Sequence, residues 1–366
     1  MKRAERCLGA CLLLLALLSP AAAWAQGWQA EWERTLAAAR REASVIVCIP
    51  ADRLRREFLL RQWQEDYPGI TLSLSTVSGS SFVPGVVTER AAGKYLWDVF
   101  ESGPGSGISA AKAGLLDPLL PELILPEVRD PAVWGGWEDA FYDADKKYVL
   151  GLASVILSPY YDARAIAPEK AAKGGLALLL DPAYRGRIAW FDPRIEGPGS
   201  VYLALFDKVL GAAGLKRLVT EQEVVFFANR TEIANALVRG KAAIGISGSA
   251  KADFQEFAQA GVALDIRHIG NRPETAWRGA DGTTLAIFNR RPHPNAARLF
   301  VNWIMTERIG ALMARAQTYD SRRADVPPLD PDLAAIPGLA YVDAQREENA
   351  AVIRRWMAEI KRLRPQ

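Results

Sequence analysis

The stretch SVIVCIPADRLRREFLLRQWQEDYPGITLSLST, Ser44 to Thr76, decides the fold class. Ser44 to Ile49 is a β-rich apolar run and reads as a strand. Leu54, Phe58, Leu59 and Trp63 then recur at helical spacing until Tyr67-Pro68-Gly69 stops the helix. Leu72 and Leu74 alternate with polar residues in a second strand. Strand, helix, strand is the unit from which parallel sheets with helices on both faces are built.

The same alternation continues outward. Upstream, Trp28, Trp32 and Leu36 lie four residues apart on one helix face. Downstream, Ser78-Gly79-Ser80-Ser81 opens a helical stretch to Ala92, Trp97 to Phe100 is a short strand, and Gly103 to Gly107 precedes a short helix. A Pro-rich passage, Asp117 to Pro131, interrupts the pattern, and Tyr148 to Ser158 resumes it as a long apolar strand. A second series follows: strand Arg187 to Phe191, helices Ser200 to Leu210 and Thr231 to Arg239, strand Ala242 to Ser247 and helix Ala250 to Ala260. Val262 to Ile269 and Thr283 to Phe288 read as strands, and Asn295 to Thr306 as a helix with Ala296, Leu299, Phe300 and Trp303 on one side. A Pro-rich link, Val326 to Pro337, leads to a terminal helix, Asp343 to Leu363, striped by Val352, Trp356, Ile360 and Leu363. The expectation is an α/β chain of two domains with mostly parallel sheets.

Composition agrees. The chain has 366 residues, half of them apolar, with 45 Lys+Arg against 42 Asp+Glu, enough for two cored domains and too balanced for a disordered chain. A net charge of +3 offers no basic stripe for nucleic acid, and 3 Cys with 2 His argue against a structural zinc site.

The N-terminus reads as an export signal. Lys2, Arg3 and Arg6 precede an apolar run, Leu8 to Leu18, and Ala23-Trp24-Ala25 places small residues where a signal peptidase reads them. As a helix that run spans only about 16 Å, against roughly 30 Å of hydrocarbon, so a membrane anchor is the poorer reading. Leu8-Gly9-Ala10-Cys11 resembles a lipoprotein cleavage box, but the apolar run follows this Cys when it should precede it. Removal of residues 1–25 leaves Cys48 as the only thiol, so no internal disulfide can form and core burial must hold the fold. The leader carries a net +2, so the exported chain is near +1. A periplasmic or extracellular location is expected.

Catalytic motifs are missing. Gly245-Ile246-Ser247-Gly248-Ser249 has Ser where a nucleophile elbow needs its last Gly, and neither His268 nor His293 sits in a recognisable motif. Cys48, inside an apolar strand, is expected to be a buried hydrophobe. Gly103-Pro104-Gly105-Ser106-Gly107 occupies the place of a dinucleotide loop without its spacing, so no cofactor is expected. A periplasmic hydrolase is therefore the weaker alternative.

Four Ser- and Gly-rich segments fall after a strand and before a helix. They supply Ser78, Ser80 and Ser81; Ser102 and Gly103; Ser200, in Gly197-Pro198-Gly199-Ser200; and Ser247 and Ser249. Free N–H groups and small hydroxyls at helix starts favour anions or polar ligand atoms, and two such loops per domain would face each other across a cleft. Each loop taken alone reads better as a helix cap, and it is the four together that point to binding.

With these residues in hand, the chain from about Trp32 to Pro328 resembles the two-domain, type II solute-binding proteins of bacterial ABC importers, most closely the ferric-iron-type subgroup. The resemblance rests on FLLRQWQEDYPGI (Phe58 to Ile70), Trp97 to Phe100, Ala113 to Leu119, Leu180 to Ile188, ALVRGKAAIGI (Ala236 to Ile246) and HPNAARLFVNW (His293 to Trp303), in that order. It implies two α/β domains joined by crossing hinge strands, a solute held between them, and an ABC permease in the inner membrane as partner. On that pattern residues 1–25 are the signal peptide, 26–150 begin domain I, 151–277 form domain II, 278–330 return to domain I and the hinge, and 331–366 are a C-terminal linker and helix.

The subgroup's iron ligands do not carry over. Its adjacent tyrosine pair follows the strand that ends here at Ser247, where this chain reads Ser247-Gly248-Ser249-Ala250-Lys251-Ala252. Hard ferric iron wants anionic oxygens, which hydroxyls and a Lys do not supply. Tyr160-Tyr161 falls at the strand leading out of the crossover, where a structural role is expected. A small polar or anionic solute is therefore preferred to ferric iron or an iron complex. The resemblance also places Trp277, Arg278 and Tyr319 near the cleft, Arg278 as an anion clamp beside Trp277 as an apolar cover. The protein is expected to be a monomer serving a permease, with a sensor as the other possible recipient.

Overall fold

The computed structural model describes residues 20–76, 81–247, 254–270, 272–280, 283–316, 320–328, 330–336 and 338–365. Two mixed sheets form the body of the protein, one built from strands of residues 44–151 with 284–288 and the other from strands of residues 160–268. The first orders as β2 (Thr71–Thr76), β1 (Ser44–Ile49), β3 (Val99–Ser102), β13 (Thr284–Phe288) and β4 (Leu116–Asp117), with β5 (Leu150–Gly151) also on β13. The second orders as β11 (Ile266–His268), β7 (Tyr160–Asp162), β10 (Ile244–Ile246), β8 (Ile188–Phe191) and β9 (Val225–Phe227). A third, small sheet joins β14 (Val342–Asp343), β12 (Trp277–Gly279) and β6 (Val155–Ile156).

Each large sheet has one reversed strand. β1 is parallel to β2 and β3, and β8 to β9 and β10, whereas β13 runs antiparallel to β3, β4 and β5, and β7 to β10 and β11. The reason is geometric. β1, β3, β8 and β10 all run toward the crossing segments, so the strand that arrives from the crossing must run the other way. β6 and β12 are those crossing segments, paired antiparallel in the third sheet. The apolar run 148–158 is therefore two short strands, β5 in the first sheet and β6 in the hinge, because the chain changes sheets between them.

The central strands of both sheets are buried on both faces, as strands flanked by helices should be. In β1, Val45, Val47 and Ile49 enter one core with Trp63, Phe300 and Trp303, while Cys48 enters the opposite core with Phe100 and Phe288. In β8, Ile188 and Trp190 face one core and Ala189 the other. This is the two-residue period of a strand. Burial pushes the Cys48 thiol well above its usual range, so it stays a protonated, inert hydrophobe.

The helix Arg53–Asp66 starts where Asp52 accepts from the Arg55 N–H at 2.9 Å, and it buries Phe58, Leu59 and Trp63. The terminal helix, Glu347–Leu363, is more than an appendage: Trp356 and Ile360 are in the second domain's core, and Trp356 Nε1 donates to Asp207 at 2.8 Å. The segment before it enters the hinge as β14, parallel to β12.

Gly245 is fixed by packing. A Cβ there would lie 2.1 Å from Cε2 of Tyr160, the residue paired with Gly245 on β7. Gly245→Ala is expected to destabilise the protein by about 1–3 kcal/mol, the usual cost of overpacking. A lowered urea midpoint at unchanged m would show it, and an unchanged midpoint would refute it.

Candidate functional site

Between the two domains lies a cleft of ≈ 320 Å³, lined by loops at the carboxyl ends of parallel strands from both sheets. From the first domain, Pro50 follows β1, and Ser102, Gly103, Pro104 and Ser106 end β3 and open the helix Pro104–Lys112. From the second, Glu196, Gly197 and Pro198 follow β8, Arg230 follows β9, and Ser247 follows β10. The hinge contributes Val155, Leu157 and Gly279, and the C-terminal segment Gln345. A larger space of ≈ 570 Å³ adjoins it, sharing Pro104, Ser106, Glu196, Val201 and Gln345 and closed by Ile353, Arg354 and Met357 of the terminal helix. Both volumes suit a small organic solute.

Local structure sets each polar group. Gly103 caps the helix Pro104–Lys112 in extended conformation, with Pro104 at its first position, where the missing N–H is not needed. Thr284 Oγ1 donates to the Ser102 carbonyl at 2.7 Å and ties that loop to β13. Ser247 Oγ lies 3.0 Å from the Tyr160 hydroxyl, a buried pairing that fixes the serine at the cleft wall. Asn229 caps the helix Arg230–Val238 by accepting from the Glu232 N–H at 2.9 Å, which places Arg230 at its first position. The carbonyl oxygen of the Gln345 side chain accepts from Ala280 N–H at 2.9 Å, leaving its NH₂ as the donor.

Among the expected site residues, Ser102, Gly103 and Ser247 come together at this cleft. Ser200 lines the adjoining space, but its hydroxyl is engaged with Gly197, accepting from the N–H at 3.1 Å and donating to the carbonyl at 3.0 Å. Ser81 is exposed at the start of the helix Phe82–Ala91 and lines neither space. Ser78, Ser80, Ser249 and Tyr319 lie outside the described residues.

Trp277 and Arg278 are placed apart from the cleft. Trp277 is 9% exposed within the second domain's core, and its carbonyl accepts from Leu157 N–H at 2.8 Å. Arg278 Nε lies 3.0 Å from the buried Asp343 carboxylate, so its charge is held by the hinge. Among the described lining residues the cation is Arg230. Its signal in the sequence was the Asn229 cap directly after the β-rich Val224 to Phe227. Glu196 and Gln345 carried no comparable signal.

Tyr160 and Tyr161 are both buried in β7. The histidines line neither space: His293 Nδ1 sits 2.8 Å from Asp98, and His268 lies between the Ser158 carbonyl and Asp330. No described helix is long and apolar enough to cross a membrane, and no three described His, Cys, Asp or Glu side chains gather as a metal site.

The comparisons agree with this architecture. Apo ferric ion-binding protein A of Pasteurella haemolytica superposes with a TM-score of 0.65 at 15% identity, covering 87% of this chain and 98% of its own. Iron-bound HitA of Pseudomonas aeruginosa gives 0.59 at 17%, covering 88% and 98%. AfuA of Actinobacillus pleuropneumoniae, with fructose-6-phosphate bound, gives 0.59 at 17%, covering 87% and 98%. No curated protein sequence matches. At these identities the superpositions establish the shared two-domain fold. The family model for bacterial extracellular solute-binding proteins matches residues 51–311, and the chain therefore belongs to that solute-binding family of ABC transporters.

Proposed function

We propose that this protein captures a small polar, anionic solute in the periplasm and delivers it to an ABC permease, working as a monomer without turning the solute over. The observation that carries the reading is the convergence of Arg230, Ser102 and Ser247 on one cleft between the domains. These groups are donors. A guanidinium and hydroxyls suit a carboxylate or phosphate, whereas ferric iron wants several anionic oxygens. The cleft also has no histidine in its lining, which leaves a Ser-His hydrolysis without its base.

Closure of the two domains on a solute predicts a smaller radius of gyration in X-ray scattering and a raised melting temperature when a carboxylate and phosphate panel is added. A panel giving neither change would refute the reading. Arg230→Gln is expected to weaken binding about 10- to 100-fold, the worth of a charge-assisted bond, without unfolding the protein. Unchanged affinity in calorimetry would remove Arg230 from the site.

A further inference from the structure

The lining of the smaller cavity holds two opposite charges on separate loops. Among its described residues Arg230 is the cation and Glu196 the carboxylate. Glu196 belongs to the loop after β8, yet it reaches the first domain: a Cβ added at Gly105 would lie 2.3 Å from Glu196 Oε1. The carboxylate thus rests against the first turn of the helix Pro104–Lys112, where the two spaces meet. Val155, Leu157, Val201 and Tyr202 supply an apolar wall to the same cavity.

A solute with negative charge alone is attracted by Arg230 and repelled by Glu196, and a cation meets the reverse. Only a solute carrying both charges meets an opposite charge on each loop, and closing the cleft on it adds a favourable contact at each end. Resting on the reading of this cleft as the solute site, we propose that it selects a zwitterion. The carboxylate or phosphate end sits at Arg230 and the serine hydroxyls, the ammonium end at Glu196, and a short aliphatic body lies on the apolar wall.

Matched probes test this by calorimetry on the purified protein: 4-aminobutyrate against butyrate, and O-phosphoethanolamine against ethyl phosphate. The amine-bearing member of at least one pair is expected to bind ten-fold tighter or more. Glu196→Gln, at an exposed position, should abolish that preference by weakening the amine-bearing member and tightening the amine-free one. Arg230→Gln should weaken both members. If the amine-free members bind as well as their partners, or if Glu196→Gln keeps the preference, the zwitterion proposal is overturned while anion capture stands. If no probe binds to wild type or variant, solute capture at this cleft fails and the proposal fails with it.

Discussion

Replacing Asp343 by asparagine is expected to cost about 3–5 kcal/mol of stability, the penalty for stranding a buried ion-pair partner. Asp343 is fully buried on β14, and three guanidiniums surround it: Arg278 at 3.0 Å, Arg322 at 3.1 Å and Arg346 at 3.7 Å. The Tyr142 hydroxyl donates to its other oxygen at 2.5 Å. Burial would raise the pKa of this carboxyl, but Arg322 and Arg278 overcome it and hold it below the usual range. Its stabilising charge is therefore present above about pH 4 and lost only in stronger acid. Asparagine keeps the shape and removes the charge, leaving Arg322, whose side chain is fully buried, without its ion-pair partner.

The location makes the effect more than local. Arg278 lies on β12, Arg322 N–H donates to the Leu152 carbonyl beside the first crossing, and Asp343 lies on β14, so one carboxylate joins three passes of the chain through the hinge. Urea unfolding should show the loss, and X-ray scattering of the variant should show a broader spread of domain separations. A double variant, Asp343→Leu with Arg322→Met, should recover part of the stability because neither charge is then stranded. A single variant within 1 kcal/mol of wild type would refute the account.

What could be read in the sequence follows what is local. β1 is found at Ser44–Ile49 as expected, because a β-rich run bounded by helix signals needs no distant partner to be recognised. The run 148–158 was read as one strand because it is apolar throughout, and periodicity cannot mark a change of sheet inside a stretch buried on all sides. The site divides in the same way. Ser102, Gly103 and Ser247 were legible as strand-end loops, since strand, turn and helix are adjacent in sequence. Sequence alone presents Arg278 as a ligand clamp because its neutralising partner, Asp343, is 65 residues away and enters through the C-terminal segment. Gln345 reaches the cleft by that same segment, and Glu196 by a loop whose neighbours only the strand order β10-β8-β9 reveals.

Glu101 gives the second large effect, a fall in stability between about pH 4.5 and 7. It lies on β3, next to the cleft residue Ser102, and is fully buried with neither oxygen accepting a hydrogen bond from a described residue. Arg55 NH1 stands 3.4 Å from Oε1, an ion pair without hydrogen-bond geometry. Burial raises the carboxyl to about 7, Arg55 offsets only part of that, and Asp52 adds to it. The sign follows from proton counting. Between the unfolded value near 4.5 and the folded value near 7, the native state holds a proton that the unfolded chain has released. The contribution of Glu101 is thus greatest below about pH 4.5, declines by about 1.4 kcal/mol per pH unit as pH rises, and levels off above about 7, a loss of about 3 kcal/mol in all. Glu101→Gln cannot ionise. Whatever fixed cost or gain it brings through Arg55 is the same at every pH in this range, so the informative quantity is the difference between variant and wild type. That difference, from urea unfolding at pH 5, 6, 7 and 8, should move in favour of the variant by about 2–3 kcal/mol across the series. A constant offset at all four values would show that Glu101 is ionised throughout and that Arg55 outweighs its burial.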